Sequence, residues 1–270
     1  MTTALESCHA AGAAFDAMAA RYDETFTFST VGRAQREVVW NHAARTFHSG
    51  DHILELNCGT GEDALFLAHR GIHVTACDAS ERMIYHAKAR KDLEAPHASI
   101  SFRVLPTEHV YELAGHQLCD GVFSNFSGLN CVADLRQVAR TLSSLLHPGA
   151  KLLLCFSTRF CIWELFYYTA RGNFRKAVRR WRGVSPVSFD NQSFFVYYPT
   201  IRALRKSFAP EFTLRSVTGI GISVPPSYLE RWIGKHPRLL SAMMRFDKAV
   251  CDLPLFRNIG DHMLLLLEKC

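Results

Sequence analysis

LELNCGTGEDALFLA, residues 54–68, joins a short apolar run to a helical pattern through a turn that contains two glycines. The run His52 to Asn57 predicts a buried strand. The stretch from Glu62 to His69 predicts a helix, and its first turn carries two acids that suit the positive end of the helix dipole. Because Gly59 and Gly61 lack side chains, we expect the backbone to turn sharply here and to approach a ligand closely.

Strands and helices alternate on both sides of this segment. Further strands are predicted at Ile72–Cys77, Ile100–Leu105, Gly121–Ser124, Lys151–Phe156, Leu214–Val224 and Met263–Leu267, with a hairpin at Val187–Tyr198. Helices are predicted within residues 11–47 and 225–260 and at Glu81–Asp92, Asp134–Leu146, Arg159–Arg182 and Thr200–Phe208. Regular alternation of this kind predicts a mostly parallel sheet with helices on both faces.

The length of 270 residues fits one large α/β domain or a domain with a lid. The nine cysteines show no paired C-x-x-C spacing, and four of them fall in or beside apolar runs: Cys58, Cys77, Cys119 and Cys155. We expect buried thiols in a reducing compartment. The sequence starts without a basic and apolar leader, and it has no apolar run of about 20 residues, the length that spans a bilayer. A cytoplasmic protein is therefore expected.

A single carboxylate adds information to the glycine turn. Asp78 ends the predicted strand HVTACD, about one strand–helix–strand step beyond Gly59 and Gly61. A carboxylate at that point is suited to accept hydrogen bonds from both hydroxyls of a ribose. Taken alone, the glycines could form any strand-to-helix turn and Asp78 could cap a helix. Their joint spacing favours a nucleotide-binding crevice.

Several segments together resemble the class I S-adenosylmethionine (SAM) dependent methyltransferases of small-molecule type. The start of LELNCGTGEDALFLA resembles the E-x-G-x-G-x-G motif of that family, with Asn57 at the position of its first glycine. CDGVFSNFSGLN (119–130) resembles the fourth strand and the loop under the transferable methyl, and LLHPGAKLLL (145–154) resembles the start of the fifth strand. ARYDETF (20–26) resembles the A-x-x-Y-D element in which a tyrosine closes over SAM. The resemblance covers residues 50–156 well and the remainder weakly.

The resemblance implies a Rossmann-like α/β fold, a seven-stranded mostly parallel sheet whose last strand is antiparallel, with helices on both faces and a helical and hairpin lid. It suggests an N-terminal helical cap (1–48) and a methyltransferase domain (49–270) with lid insertions at about 157–199 and 225–260. The implied cofactor is SAM, with S-adenosylhomocysteine as its product, and no metal is expected. The implied cofactor-binding residues are Tyr22, Glu55, Asn57, Cys58, Gly59, Gly61, Asp78, Ala79, Met83, Thr107, Glu108, Asn125 and Phe126.

The acceptor is expected at the same sheet edge, because an antiparallel last strand begins where the parallel strands end. Asp261 and His262 would then face the active site, and a neutral histidine suits proton removal near pH 7. The candidate catalytic residues are His262, His109 and Tyr22. Asn130, Trp163, Tyr167 and Tyr197 are candidates for a substrate pocket, and with Phe126, Phe166 and Phe195 they favour a small hydrophobic or aromatic acceptor. Each aromatic residue could equally be ordinary core.

The formal net charge of the chain is +6. Residues 159–182 contain seven Lys/Arg and a single acid, Glu164, so the positive charge of this segment (7 − 1 = +6) equals that of the whole chain. This segment could contact an anionic membrane or a phosphorylated, lipid or isoprenoid acceptor, or could be a solvated face. A broad nucleic-acid partner is not expected. An NAD(P)-dependent reductase, an RNA or protein methyltransferase and a non-catalytic relative stay open as alternatives, as does the choice between monomer and homodimer.

Overall fold

The computed structural model of the protein describes residues 4–115, 117–189 and 192–270, with side chains from residue 10 onward. Seven strands form one sheet in the order β3-β2-β1-β4-β5-β9-β8. They are β1 (His52–Leu56), β2 (His73–Asp78), β3 (Ile100–Val104), β4 (Cys119–Ser124), β5 (Leu146–Ser157), β8 (Phe212–Ile220) and β9 (His262–Lys269), while β6 (Val184–Phe189) and β7 (Gln192–Tyr197) pair separately.

The helices surround this sheet. They are α1 (Ala4–Tyr22), α2 (Thr30–Thr46), α3 (Glu62–Ala68), α4 (Glu81–Glu94), α5 (Leu135–Ser144), α6 (Ile162–Ala170), α7 (Phe174–Ala177), α8 (Ile201–Phe208), α9 (Glu230–Ile233) and α10 (Pro237–Val250). A π-helical turn, Asp23–Thr27, joins α1 to α2.

Strand directions confirm the predicted architecture. β3, β2, β1, β4 and β5 run parallel to one another. β9 lies between β5 and β8 and is antiparallel to both. The predicted hairpin is also present, although its turn at residues 190 and 191 lies outside the described residues. The fold class that the resemblance implied is therefore correct.

Alternate side chains of the central strands form a hydrophobic layer on each face of the sheet. Leu54 and Leu56 pack in the layer that α5 and α8 cover, while Ile53 packs in the layer covered by α2, α3 and α4. The apolar stripe of α5 is buried as its spacing predicts, and the side chain of Asp134 caps its first turn by accepting hydrogen bonds from two backbone N–H groups. The four cysteines of the apolar runs are buried thiols, as expected.

The prediction of one continuous basic helix from Arg159 to Arg182 is wrong. α6 ends at Ala170, Gly172 follows with a φ of 69°, and Asn173 caps the short helix α7. A left-handed glycine and a capping asparagine are strong helix breakers, and they outweigh the apolar and basic periodicity of this stretch. The second predicted insertion, 225–260, is helical through α9 and α10.

Candidate active site

A crevice of about 640 Å³ opens where β1, β2 and β4 end, and α1 lies across it. Ten of the thirteen predicted cofactor residues line this crevice: Tyr22, Asn57, Gly59, Asp78, Ala79, Met83, Thr107, Glu108, Asn125 and Phe126. The wall opposite the sheet includes Ala11, Gly12 and Phe15 of α1. The assigned roles of these residues stay predictions.

The two glycines after β1 serve different purposes. Gly59 has a φ of 54°, and a Cβ added there would meet only the ring of Tyr22 at 3.9 Å, so its backbone faces the crevice. Gly61 has a φ of 81°, and a Cβ there would lie 2.9 Å from Ala87 and 3.0 Å from Phe102. Gly61 is thus required for the close packing against Ala87 of α4 and Phe102 of β3, and its approach to the cofactor stays a prediction.

Asn57 adopts the positive φ that its place in the motif demands, at 56°. Its Oδ1 accepts hydrogen bonds from the hydroxyls of Thr107 (3.2 Å) and Ser124 (3.5 Å). Its side chain occupies the space that a Cβ on Gly128 would need. The chain therefore accommodates asparagine at a position typical of glycine because Gly128, in the loop after β4, provides the room.

Asp78 connects the first two strand ends. Its Oδ2 accepts a hydrogen bond from the N–H of Gly59 (2.9 Å), and its Oδ1 accepts one from the N–H of Ser80 (2.8 Å). Burial raises the pKa of the Asp78 carboxyl above its ordinary value, and these two backbone N–H groups oppose the shift. The carboxylate is held against the glycine turn and lines the crevice.

A second, polar crevice of about 280 Å³ adjoins the first and shares five residues with it: Tyr22, Asn57, Gly59, Asn125 and Phe126. Its distinctive group is Arg36 of α2, whose Nη1 lies 2.7 Å from Oδ2 of Asp63. The Arg36 Nε and the Thr27 hydroxyl are both buried without a hydrogen-bond partner. Buried donors without partners are uncommon and indicate a place for a polar ligand.

Sequence reasoning missed Arg36, Asp63 and Thr27. Burial lowers the pKa of the Arg36 guanidinium, but the Asp63 carboxylate more than offsets this, so the pKa is raised and the group is a permanent cation. Asp63 also accepts hydrogen bonds from Trp40 (2.6 Å) and Asn125 (3.2 Å). A signal was present in the sequence, since an arginine amid the apolar positions of α2 requires a buried partner.

Tyr22 and Phe126 line both crevices, and Phe26 packs against both of these rings. Phe26 contacts Tyr22 at a ring distance of 5.7 Å and Phe126 at 4.8 Å, and the Arg36 guanidinium lies 4.9 Å from the Phe126 ring. Burial raises the pKa of Tyr22 to about 12. Its hydroxyl therefore stays protonated at neutral pH, so Tyr22 is suited to donate a hydrogen bond and unsuited to act as a base.

Glu55, Cys58 and Gly61 are the predicted cofactor residues outside the main crevice. Cys58 lines the polar crevice instead. Glu55 is buried beneath the turn, and its Oε2 has no hydrogen-bond partner. Burial, together with Asp63, raises the pKa of Glu55 well above its ordinary value. A contact between Glu55 and the cofactor stays a prediction that requires the loop to shift or a water molecule to intervene.

The two candidate bases, His262 and His109, do not line either crevice. His262 is buried, with its ring 5.6 Å from that of Phe126 and its Nδ1 3.7 Å from Asp261. Burial lowers the pKa of His262, although Asp261 opposes the shift, so the imidazole is neutral near pH 7. His109 lies beside Glu112 at 3.4 Å on a 3-10 turn after β3. Catalysis by either histidine stays a prediction.

The predicted substrate residues have structural partners. The Asn130 amide donates to the carbonyl oxygens of Ser157 and Tyr197, and its Oδ1 accepts from the N–H of Ser157, so its bonding capacity is used inside the fold. Trp163 donates to the Ser223 carbonyl (3.0 Å), and the Tyr167 ring packs against Tyr228 at 4.7 Å. The cofactor crevice is not lined by Asn130, Trp163, Tyr167 or Tyr197, and their part in an acceptor pocket stays a prediction.

Two of the seven basic residues in 159–182 also have internal partners. Glu164 is buried and forms ion pairs with Arg179 and, at 2.7 Å, with Arg180. Arg180 pairs in addition with Asp261 at 2.8 Å. Arg180 therefore fastens the segment to Asp261, the residue before β9, whereas the partly exposed Arg179 pairs within the segment.

Within residues 4–115, 117–189 and 192–270, no group of three His, Cys, Asp or Glu side chains is arranged to hold a metal ion. No helix of the described chain combines the length and the apolar character needed to cross a bilayer.

Comparison with known proteins identifies the segment around the crevice. Residues 53–149 match a family model described as a methyltransferase domain. The chain is 33% identical over 151 residues to a demethylmenaquinone methyltransferase of Clavibacter sepedonicus, covering 54% of this chain and 58% of that one. It is 28% identical over 165 residues to a tRNA 5-carboxymethoxyuridine methyltransferase of Escherichia coli, covering 59% and 61%. The chain thus spans less than two thirds of the length of these relatives.

Solved structures share the fold at low sequence identity. A 1,6-didemethyltoxoflavin-N1-methyltransferase of Burkholderia thailandensis, solved with S-adenosylhomocysteine, aligns with a TM-score of 0.62 at 14% identity over 100% of this chain and 91% of that one. A SAM-dependent methyltransferase of Mesorhizobium loti aligns with a TM-score of 0.58 at 17% identity over 87% and 98%. Residues 53–149 thus match a methyltransferase domain, and the chain shares the fold of SAM-dependent methyltransferases.

Proposed function

We propose that the protein is a SAM-dependent methyltransferase that acts on a small, hydrophobic or aromatic acceptor. The observation that carries the proposal is the pairing of Asp78 with the open backbone of Gly59 on one crevice. A ribose needs a carboxylate acceptor, and the chain beside it needs a residue without a side chain. Both requirements are met at adjacent strand ends.

The two crevices fit the two ends of SAM. The larger one runs past Ala79, Met83 and α1, where an adenine ring would find apolar walls. The polar one offers the Arg36 Nε and the Thr27 hydroxyl, both without partners, to the carboxylate of the amino-acid end. Glu55 is buried beneath the turn with an unpartnered oxygen, and it would accept from the ammonium group through a water molecule or after a shift of the loop.

When bound, SAM would supply an electrophilic methyl on a positively charged sulfur. The Tyr22 and Phe126 rings line both crevices, and aromatic rings attract such a cation. The rings also exclude water, and holding the acceptor in line with the leaving sulfur lowers the barrier by restricting orientation. A proton released by a hydroxyl or thiol acceptor could pass to His262 if Phe126 turned aside.

The class of acceptor rests on these apolar rings. One curated relative is named for demethylmenaquinone and another for a tRNA nucleoside, so the relatives do not agree on an acceptor. The rings at the junction favour a flat, apolar acceptor of small size. The apolar end of a lipid or isoprenoid acceptor would be favoured by the same rings.

The test is calorimetry with S-adenosylhomocysteine. Asp78→Asn should weaken binding by roughly 1–3 kcal/mol, because a charge-assisted hydrogen bond to the ribose is lost. Asp92→Asn, an exposed position on α4, is the matched control and should bind normally. Methylthioadenosine, which lacks the amino-acid end, should bind more weakly than S-adenosylhomocysteine if Arg36 contributes.

Equal affinity of the Asp78 variant and the wild type would remove Asp78 from the site. Binding of NAD in place of S-adenosylhomocysteine would favour a reductase and defeat the proposal.

A further inference from the structure

Residues 160–182 expose several large apolar side chains in close succession. Phe166 on α6 is 64% exposed, Phe174 on α7 is 65% exposed and Trp181 is 46% exposed. Ile162 is also exposed, one helical turn before Phe166. Single exposed apolar residues are normal on protein surfaces, but a run of them at helical spacing indicates a contact surface.

Ring contacts hold this segment together as one folded unit. Phe160 contacts Trp181 at a ring distance of 5.8 Å, so the two ends of the segment meet. On the inner side, Trp163 lies 6.2 Å from Trp232, which anchors α6 to α9. We define the basic aromatic surface by its exposed residues Phe160, Ile162, Phe166, Arg171, Phe174, Arg175, Lys176, Trp181 and Arg182.

The charge exposed on this surface is of one sign. The single acid in residues 159–182 is Glu164, which is buried and ion-paired with Arg179 and Arg180. The remaining side chains on this surface that carry charge are basic: Arg171, Arg175, Lys176 and Arg182, all exposed. The Arg171 guanidinium lies 3.8 Å from the centroid of the Tyr167 ring and the Lys176 ammonium lies 5.7 Å from that of the Tyr168 ring, so both cations lie beside aromatic side chains of α6.

We propose that the basic aromatic surface binds a bilayer that contains anionic lipids. The apolar side chains would enter the boundary between headgroups and acyl chains, while the basic groups would contact lipid phosphates. Residues 159–182 expose basic groups and no acid, and this charge complements such a membrane. The surface is separate from the cofactor crevice, so the inference does not depend on the proposed function.

RNA is the competing polyanion, and the geometry favours it less. Single-stranded RNA stacks its bases on aromatic rings. The exposed face of α6 combines Phe166 with the aliphatic Ile162 and with Ala170, which provide neither a stacking plane nor a hydrogen-bonding group. That combination suits an apolar medium.

Flotation of the whole chain with lipid vesicles tests the proposal. Binding is expected to vesicles of phosphatidylcholine mixed with phosphatidylglycerol and to fall as salt concentration rises. Vesicles of phosphatidylcholine alone should capture much less protein. Equal capture by both kinds of vesicle, or capture by neither, overturns the proposal.

A pair of double variants assigns the effect to the surface. Phe166→Ser with Arg175→Glu should weaken binding to anionic vesicles by at least about tenfold, since each basic group near such a membrane contributes about 1 kcal/mol. Leu93→Ser with Lys88→Glu removes the same kinds of group from the exposed side of α4 and should bind as the wild type does. Unchanged S-adenosylhomocysteine binding and thermal unfolding of both variants would show that each is folded.

Equal loss in both double variants would contradict the assignment to this surface. Stronger binding of mixed tRNA than of anionic vesicles, weakened by the Phe166 and Arg175 changes, would assign the surface to RNA and overturn the membrane proposal.

Discussion

At the scale of residues, Gly59 and Gly61, which are separated by a single residue, have different roles in the fold and the site. Gly61→Ala should lower the free energy of unfolding by roughly 2–4 kcal/mol, because it adds left-handed strain and a clash with Ala87 and Phe102. Gly59→Ala should cost only about 1 kcal/mol but should reduce affinity for S-adenosylhomocysteine about tenfold, because the new methyl projects into the crevice. Denaturant unfolding and calorimetry on each variant check this. A Gly61 variant as stable as the Gly59 variant would contradict the packing role.

A second residue-scale prediction concerns Asn57 and Gly128. Gly128→Ala alone should be strongly destabilising, since its methyl would overlap the Asn57 side chain. In the background of Asn57→Gly the same change should be tolerated, and a double-mutant cycle of unfolding free energies should give a coupling of roughly 1–3 kcal/mol. Additive effects would show that the two residues do not share the space.

Part of the site was predictable from sequence because its residues follow strand ends. Gly59 and Asp78 lie at fixed distances from apolar strands, so their meeting follows from parallel topology. Arg36 was not predictable in that way. It lies on a helix before β1, and only the folded chain brings it to Asp63.

At the scale of elements, α1 and the π-helical turn are fastened to the sheet edge by charged groups. The Asp16 Oδ1 accepts hydrogen bonds from the Ser80 hydroxyl (2.6 Å) and from the N–H of Arg82 (2.9 Å). Asp23 pairs with the buried Arg90 of α4, which also pairs with Glu62 at 2.5 Å. The crevice wall formed by α1 therefore depends on contacts with α4 and not on hydrophobic packing alone.

Replacing Arg90 tests this attachment. Arg90→Met should lower the free energy of unfolding by roughly 1–3 kcal/mol, less than for a fully buried pair because the two acids are about a quarter exposed. Backbone amides of residues 11–27 should exchange hydrogen faster than in the wild type. Lys88→Met on the exposed side of the same helix is the control. Equal exchange in both variants would show that α1 is held by other contacts.

Element prediction succeeded for the strands of the core and failed for the stretch Arg159–Arg182. The strands are short apolar runs buried on both faces, so burial alone specifies them. The stretch Arg159–Arg182 has helical periodicity throughout, but its ends contact each other through Phe160 and Trp181. That tertiary contact, made possible by the break at Gly172, leaves no trace in local periodicity.

At the scale of the whole molecule, buried carboxyl groups make stability depend on pH. Burial raises the pKa of Glu55 well above the 4.5 of the unfolded chain, so the native state retains a proton that the unfolded state releases. Stability from this group is therefore fully present below about pH 4.5 and falls as pH rises towards the native pKa, by up to about 1.4 kcal/mol per pH unit.

Glu55→Gln should remove this dependence. Between about pH 5 and 7, the free energy of unfolding should fall more steeply in the wild type than in the variant. Glu37→Gln, at an exposed position on α2, is the control and should retain the wild-type slope. Urea unfolding at several pH values gives the slopes. A variant whose slope matches the wild type would show that Glu55 is ionised in the native state.

The interlocked side chains of Asn57 and Gly128 also limit how this lineage can evolve. While asparagine occupies position 57, a side chain at position 128 would overlap it, so we expect glycine at 57 to be needed before position 128 can vary. The order of substitutions is therefore fixed, and descendants should differ from their ancestor at position 57 before they differ at position 128.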